Sequence, residues 1–123
     1  MSIINENLIF VLEDDKDIAD IIEIILVDSG FQITCSPTDQ DFQQQIISNK
    51  PDIVLLDVRL PDDNGADVCR ALKTDERFSD IPVILMSAHL NSKVAVKDCF
   101  ADDFISKPFD ILDLEKRIKA FVA

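Results

Sequence analysis

Four short segments of this sequence end in side chains able to handle a phosphoryl group: Glu13-Asp14-Asp15, Asp57, Ser87 and Ser106-Lys107-Pro108. Each follows an apolar run, namely Leu8-Ile9-Phe10-Val11-Leu12, Ile53-Val54-Leu55-Leu56, Val83-Ile84-Leu85-Met86 and the short Phe104-Ile105. If those runs are parallel strands of one sheet, their ends share a rim and several carboxylates converge there. Two like charges about 4 Å apart repel by roughly 4 kcal/mol at an effective dielectric near 20. Such a cluster calls for a cation, and hard oxygens suit Mg²⁺, which takes one or two carboxylates and keeps room for water and phosphate oxygens. Across from the acids, Lys107 offers a compact positive charge and Ser87 a hydroxyl. Metal, carboxylate, hydroxyl and ammonium together make a phosphoryl-transfer site, where the protein's part is positioning and charge neutralisation. An aspartate can itself be the nucleophile, forming an acyl phosphate. Taken singly, an acid at a strand end is most often a solvated loop residue. The coincidence at four strand ends gives the pattern its weight.

The elements that must position these residues follow from hydrophobic periodicity. Three runs are apolar throughout, as strands buried on both faces must be. Phe31-Gln32-Ile33-Thr34-Cys35 alternates in polarity and Phe104-Ile105 is short, which are properties of edge strands. Between the runs lie helical patterns. Ile18, Ile21, Ile22, Ile25 and Leu26 share one helical face, closed by Gly30 where a helix end wants a left-handed residue. Ile111, Leu114, Ile118 and Phe121 form another, with Asp110 as N-cap. Residues 39–49 and 64–74 are further helices, and residues 91–100 a fourth in chain order with a poor apolar stripe. Strict strand–helix alternation implies right-handed crossovers and a parallel sheet covered on both faces. The expectation is a doubly wound five-stranded α/β fold with five helices and strand order 2-1-3-4-5. Its switch point lies between the first and third strands, outside whose carboxyl ends ligands bind.

Composition excludes several classes. At 123 residues, 47% hydrophobic, the chain has the size and character of one folded domain, expected over residues 1–123 without an output domain. The net charge of −12 repels phosphate backbones and anionic lipids, so neither direct nucleic-acid binding nor membrane binding is expected. No apolar run approaches the roughly 20 residues of a membrane span, and no signal peptide is read at the start. Cys35, Cys69 and Cys99, odd in number and without Cys-x-x-Cys spacing, read as small hydrophobes in a reducing, cytoplasmic setting. His89, a single histidine, reads as an exposed loop residue.

On these residues the chain resembles the response-regulator receiver family over essentially its whole length. The matching segments are Val11-Leu12-Glu13-Asp14-Asp15, Asp57-Val58-Arg59-Leu60-Pro61-Asp62-Asp63-Asn64-Gly65, Pro82-Val83-Ile84-Leu85-Met86-Ser87-Ala88 and Ala101-Asp102-Asp103-Phe104-Ile105-Ser106-Lys107-Pro108-Phe109. The resemblance implies a flavodoxin-like receiver fold and a phosphorylation-dependent switch in two-component signalling, with Asp57 as acceptor. It implies Mg²⁺ held by Asp14 directly, Glu13 through water, Asp57 and the backbone carbonyl of Arg59. Ser87 would bond the phosphoryl group, Lys107 would pair with it, and Lys107-Pro108 would be cis. Phe104 would change rotamer with Ser87 on activation. Arg59 and His89 would flank the site and tune hydrolysis. The implied phosphodonor is a histidine kinase or a phosphotransfer protein of a phosphorelay, and catalysis is limited to the chain's own phosphorylation and autodephosphorylation. Because the sequence stops at Ala123, output is expected through a protein partner on the face of the fourth helix, fifth strand and fifth helix, with a homodimer also allowed.

Two positions depart from the family pattern. Phe100 stands where the family usually has glycine, implying either strain or a different helix exit, and the stretch from Ser87 to Lys107 is slightly short. The alternative function is a Mg²⁺-dependent aspartyl-phosphate phosphatase acting on small molecules. That class uses an Asp-x-Asp motif, whereas the second residue after Asp57 is Arg59. A nucleotide or flavin binder would need a glycine-rich loop, and Gly30 and Gly65 do not form one.

Overall fold

The computed structural model describes residues 7–60, 62–88 and 99–122. Five strands, β1 (Leu8–Leu12), β2 (Gln32–Ser36), β3 (Ile53–Asp57), β4 (Val83–Ser87) and β5 (Asp103–Ser106), pair in parallel in the order β2-β1-β3-β4-β5. This is the expected order. Among the described residues there are four helices rather than five: α1 (Lys16–Asp28), α2 (Asp39–Ser48), α3 (Gly65–Thr74) and α4 (Ile111–Phe121). The further helix expected over residues 91–100 falls largely outside the described residues, as do Pro61 and His89. None of the described helices is long and apolar enough to cross a membrane.

Alternation along the strands builds two cores. Phe10, Leu12, Val54, Leu56, Val83 and Leu85 face α2 and α3, meeting Phe42, Ile46, Val68 and Leu72. Ile9, Val11, Ile53, Leu55, Ile84, Met86 and Ile105 face the other way, onto Ile22 and Leu26 of α1 and Leu114 and Ile118 of α4. Both faces of β1, β3 and β4 are therefore apolar, which is why those strands read as continuous hydrophobic runs. The edge strands β2 and β5 are only partly buried.

Three sequence readings change. On α1 only Ala19, Ile22 and Leu26 are buried, and Ile21, assigned to the inner face, is exposed. Ile111 and Phe121 of α4 are exposed as well. An apolar stripe as wide as the sequence suggests would need more sheet to cover it than five short strands supply. Cys35, on edge strand β2, is exposed, whereas Cys69 and Cys99 are buried.

Phe100 settles into the strained alternative. It holds φ 66 and is largely exposed, a left-handed conformation that costs a side-chain-bearing residue roughly 1–2 kcal/mol. Gly30, by contrast, takes φ 96 after α1 as glycine can. Gly65 matters for a different reason. Its N–H donates to the Val58 carbonyl at 2.7 Å, and a Cβ there would lie 1.9 Å from the Asp57 backbone oxygen. The first turn of α3 thus rests directly on the backbone carrying Asp57. Gly65→Ala is expected to destabilise the fold by about 1–3 kcal/mol through this clash. Urea unfolding followed by far-ultraviolet circular dichroism measures it, since the chain has neither Trp nor Tyr. An unchanged midpoint would show that the approach is looser than described.

Candidate functional site

Strand pairing brings the distant segments to one rim. Glu13 follows β1 and donates its N–H to the Ser36 carbonyl at 3.1 Å. Asp57 closes β3 opposite Met86, and Val58 N–H donates to the Met86 carbonyl at 3.0 Å. Lys107 follows β5, with its N–H on the Ser87 carbonyl at 2.8 Å. Continued past the strand ends, the two-residue alternation puts Glu13, Asp57 and Lys107 on the sheet face of Ile9, Ile53 and Ile105. Ser87 and Phe104 share the opposite face with Leu85. A cavity of about 320 Å³ opens here, lined by Glu13, Asp14, Asp57, Arg59, Ser87 and Lys107 among others.

The side chains meet as charges. Lys107 Nζ contacts Glu13 Oε1 and lies 3.2 Å from Asp57 Oδ2. Glu13, Asp57 and Ser87 are all buried, and Asp14 is exposed at the mouth. Glu13 Oε2 accepts the Asp15 N–H at 3.2 Å, and Asp57 Oδ1 accepts the Arg59 N–H at 3.2 Å. One carboxylate oxygen from each of Glu13, Asp14 and Asp57 lies within 4.8 Å of the others. Three acids against one lysine leave the cluster short of positive charge. Close-set hard oxygens fit a divalent cation such as Mg²⁺ in chemistry and spacing.

Burial, helped by the Asp57 carboxylate, pushes Glu13 up to about 7 despite the pull of Lys107. Burial works against the Lys107 charge too, yet its two carboxylate partners outweigh it and hold the ammonium above the ordinary lysine value. The site therefore keeps its cation at neutral pH while Glu13 sits near its titration point.

Not every acid expected at the rim belongs to this cluster. Asp15 caps α1, accepting from the N–H groups of Asp17 and Ile18 at 3.0 and 3.2 Å. Lys107-Pro108 is cis, as the resemblance implied. Arg59 is exposed at the mouth and pairs with Asn64 across the loop after β3. Sequence reasoning gave no role to Gly65 or Asp62. The Asp62 carboxylate accepts from the N–H groups of Asp39 and Gln40 at 3.0 and 3.2 Å, tying that loop to the start of α2. Nothing local in the sequence signals a contact between a loop acid and a helix 23 residues away.

A family model, the response regulator receiver domain, matches residues 9–119. The DNA-binding dual master transcriptional regulator RpaA of Synechocystis is 33% identical over 116 residues, spanning 93% of this chain and 48% of that protein. The chain spans about half the length of the curated relatives it matches. Among solved structures, the signal receiver domain of a signal transduction histidine kinase from Syntrophus aciditrophicus superposes with a TM-score of 0.88. It is 29% identical, with 94% of this chain and 89% of that one covered. A putative response regulator from Chloroflexus aurantiacus shares the fold at a TM-score of 0.91 and 24% identity, covering 96% and 98%.

The elevated Glu13 titration has a definite sign. Between its ordinary value of 4.5 and about 7, the native state holds a proton that the unfolded chain has released. Glu13 therefore favours the metal-free fold at low pH, and this contribution fades as pH rises through about 7. The stability of wild type relative to Glu13→Gln should fall between pH 4.5 and 8 in the presence of a chelator. A difference independent of pH would mean that Glu13 is ionised throughout.

Proposed function

Since the chain belongs to the response regulator receiver domain family, we propose that it is a phosphorylation switch in which the Asp57 carboxylate accepts a phosphoryl group from a histidine kinase or histidine phosphotransfer protein. The observation that carries this reading is the Lys107 ammonium held against both Asp57 and Glu13 beside an uncompensated group of acids. Asp57 Oδ attacks phosphorus as the phosphorus–nitrogen bond to the donor imidazole breaks. Lys107 and Ser87 supply donors to the phosphoryl oxygens that arrive in the cavity. Glu13, Asp14, Asp57 and the Arg59 carbonyl would hold Mg²⁺, which would supply charge neutralisation for the incoming phosphoryl oxygens. Catalysis extends only to the chain's own phosphorylation and dephosphorylation, and the setting is cytoplasmic.

Signalling starts on the opposite sheet face and is read at the β5 edge, where the two faces meet. A phosphoryl group on Asp57 draws the Ser87 hydroxyl inward, and Phe104, half-buried on the same face two register positions away, fills the vacated space. The strained Phe100 lies shortly before β5, where local strain lowers the resistance of a segment to rearrangement. A partner protein then reads the surface of β5, α4 and the segment preceding β5. Coupling of this kind is worth about 1–3 kcal/mol.

Three outcomes follow. Intact-mass analysis with acetyl phosphate should show one added phosphoryl group only when Mg²⁺ is present, and none on Asp57→Asn; equal labelling of that variant refutes Asp57 as acceptor. Lys107→Ala should bind Mg²⁺ more tightly by about 1–2 kcal/mol, roughly 5–30-fold, because a competing cation leaves the acids. Isothermal titration calorimetry reads this directly, and weaker binding at unchanged fold would place the metal away from Lys107. Beryllofluoride with Mg²⁺ should move the amide resonances of Ser87, Phe100 and Phe104 as well as the Asp57 loop. Shifts confined to the loop would remove the switch.

A further inference from the structure

Two buried thiols outside the acid cluster meet on the sheet face covered by α2 and α3. Cys69 of α3 and Cys99, the residue before Phe100, are both fully buried. The Cys69 thiol donates to the Cys99 carbonyl at 3.4 Å, and the two side chains lie within hydrogen-bond reach of each other. Both belong to the core against which Ala101 and Phe104 pack. One turn further along α3, Lys73 Nζ holds Asp102 Oδ2 at 2.9 Å and donates to the Ile81 carbonyl at 3.0 Å. Asp102 is itself fixed to β4. Its N–H donates to the Val83 carbonyl at 2.9 Å, and its carboxylate accepts the Val83 N–H at 2.8 Å. Cys69 and Lys73 share one helical face and meet Cys99 and Asp102 in the same order. That anchoring holds the two sulfurs opposite one another.

A disulfide needs its sulfurs about 2 Å apart, which thiols in hydrogen-bond reach attain by small side-chain rotations. We propose that Cys69 and Cys99 form a reversible disulfide with a small peroxide as oxidant. On the reading that Phe104 moves when Asp57 is phosphorylated, this bond locks the segment before β5 and silences the readout. The Cys99 thiolate attacks one peroxide oxygen, the oxygen–oxygen bond breaks, and Cys99 becomes a sulfenic acid while the departing hydroxide takes up a proton as water. The Cys69 thiolate then attacks that sulfur, the sulfur–sulfur bond forms, and hydroxide leaves to become a second water. Two thiols are oxidised and one peroxide is reduced. Burial pushes the Cys69 thiol well above its ordinary value, so the closed core reacts slowly. Cys99 adjoins Phe100, whose φ of 66 is strained and whose side chain is 58% exposed, so opening that turn admits the oxidant. Transient sensing disulfides are the kind that a reducing compartment permits. Once formed, the bond ties α3 to the backbone leading into the strand of Phe104, and phosphorylation of Asp57 no longer moves it.

The test uses the Cys35→Ser chain, since Cys35 is exposed and would react on its own. Hydrogen peroxide should lower its intact mass by about 2 Da and leave no thiol for iodoacetamide after unfolding, and dithiothreitol should reverse both. A gain of oxygen mass, two alkylated cysteines or a covalent dimer overturns the disulfide. Amide spectra with Mg²⁺ and beryllofluoride then read the lock. In the reduced chain the Asp57 loop, Phe100 and Phe104 should all shift. In the oxidised chain the loop alone should shift, and dithiothreitol should restore the rest. An oxidised chain whose Phe104 still moves overturns the lock. A reduced chain whose Phe104 never moves overturns the switch reading and the lock with it, while the mass result judges the disulfide separately.

Discussion

A single lysine stands between two buried carboxylates, and much of the rim is arranged around that contact. Glu13 and Asp57 are both nearly inaccessible to water, and Lys107 touches each. Without a cation, two acids this close would repel by several kcal/mol and lose most of their hydration. With Lys107 alone the balance is partial, because Asp14 brings a third acid to the same few ångströms. The elevated Glu13 is the visible sign of that shortfall. A cluster in this condition is receptive to a divalent ion, and after that to an anion whose oxygens can share the positive charge. Structural pairing and the proposed phosphoryl chemistry thus draw on the same three side chains.

The sheet makes the contact possible. The cluster combines residues 94 positions apart in the chain, and only parallel pairing with β1 and β3 side by side brings their carboxyl ends together. Two-residue alternation then divides the work. Glu13, Asp57 and Lys107 fall on the face covered by α1 and α4, while Ser87 and Phe104 fall on the face covered by α2 and α3. The proposed acceptor and the proposed readout are therefore neighbours across the sheet rather than along one surface. Gly65 adds a steric condition, since only a residue without a side chain lets α3 begin against the Asp57 backbone.

The sequence was informative where chemistry and periodicity coincided. Buried strands announce themselves as unbroken apolar runs, so the ends that carry Glu13, Asp57 and Ser87 are legible in the sequence, and Lys107 follows from the short run before it. Strand order followed from the alternating β2 and the short β5. Packing depth was less legible. Ile21, Ile111 and Phe121 lie on apolar helical faces, but periodicity says nothing of how far the sheet extends beneath them, and all three are exposed. Cys35 misled for the same reason, as an edge strand covers only part of its length. Contacts between a loop and a distant helix, such as Asp62 on Asp39 and Gln40, leave no local trace. Phe100 was recognised as out of place, and the left-handed backbone found there is the strained resolution.

On the proposed function, the Glu13–Asp14–Asp57–Lys107 cluster receives a divalent cation and a phosphoryl group together. A crystal structure of the chain grown with Mg²⁺ and beryllofluoride tests it most directly. The expected result is beryllium bonded to an Asp57 carboxylate oxygen, its fluorides taking donors from Lys107 and Ser87, with Mg²⁺ among Asp14, Asp57 and the Arg59 carbonyl. Beryllofluoride bound at another residue, or Mg²⁺ bound with Lys107 still clamped on both Glu13 and Asp57, would contradict it.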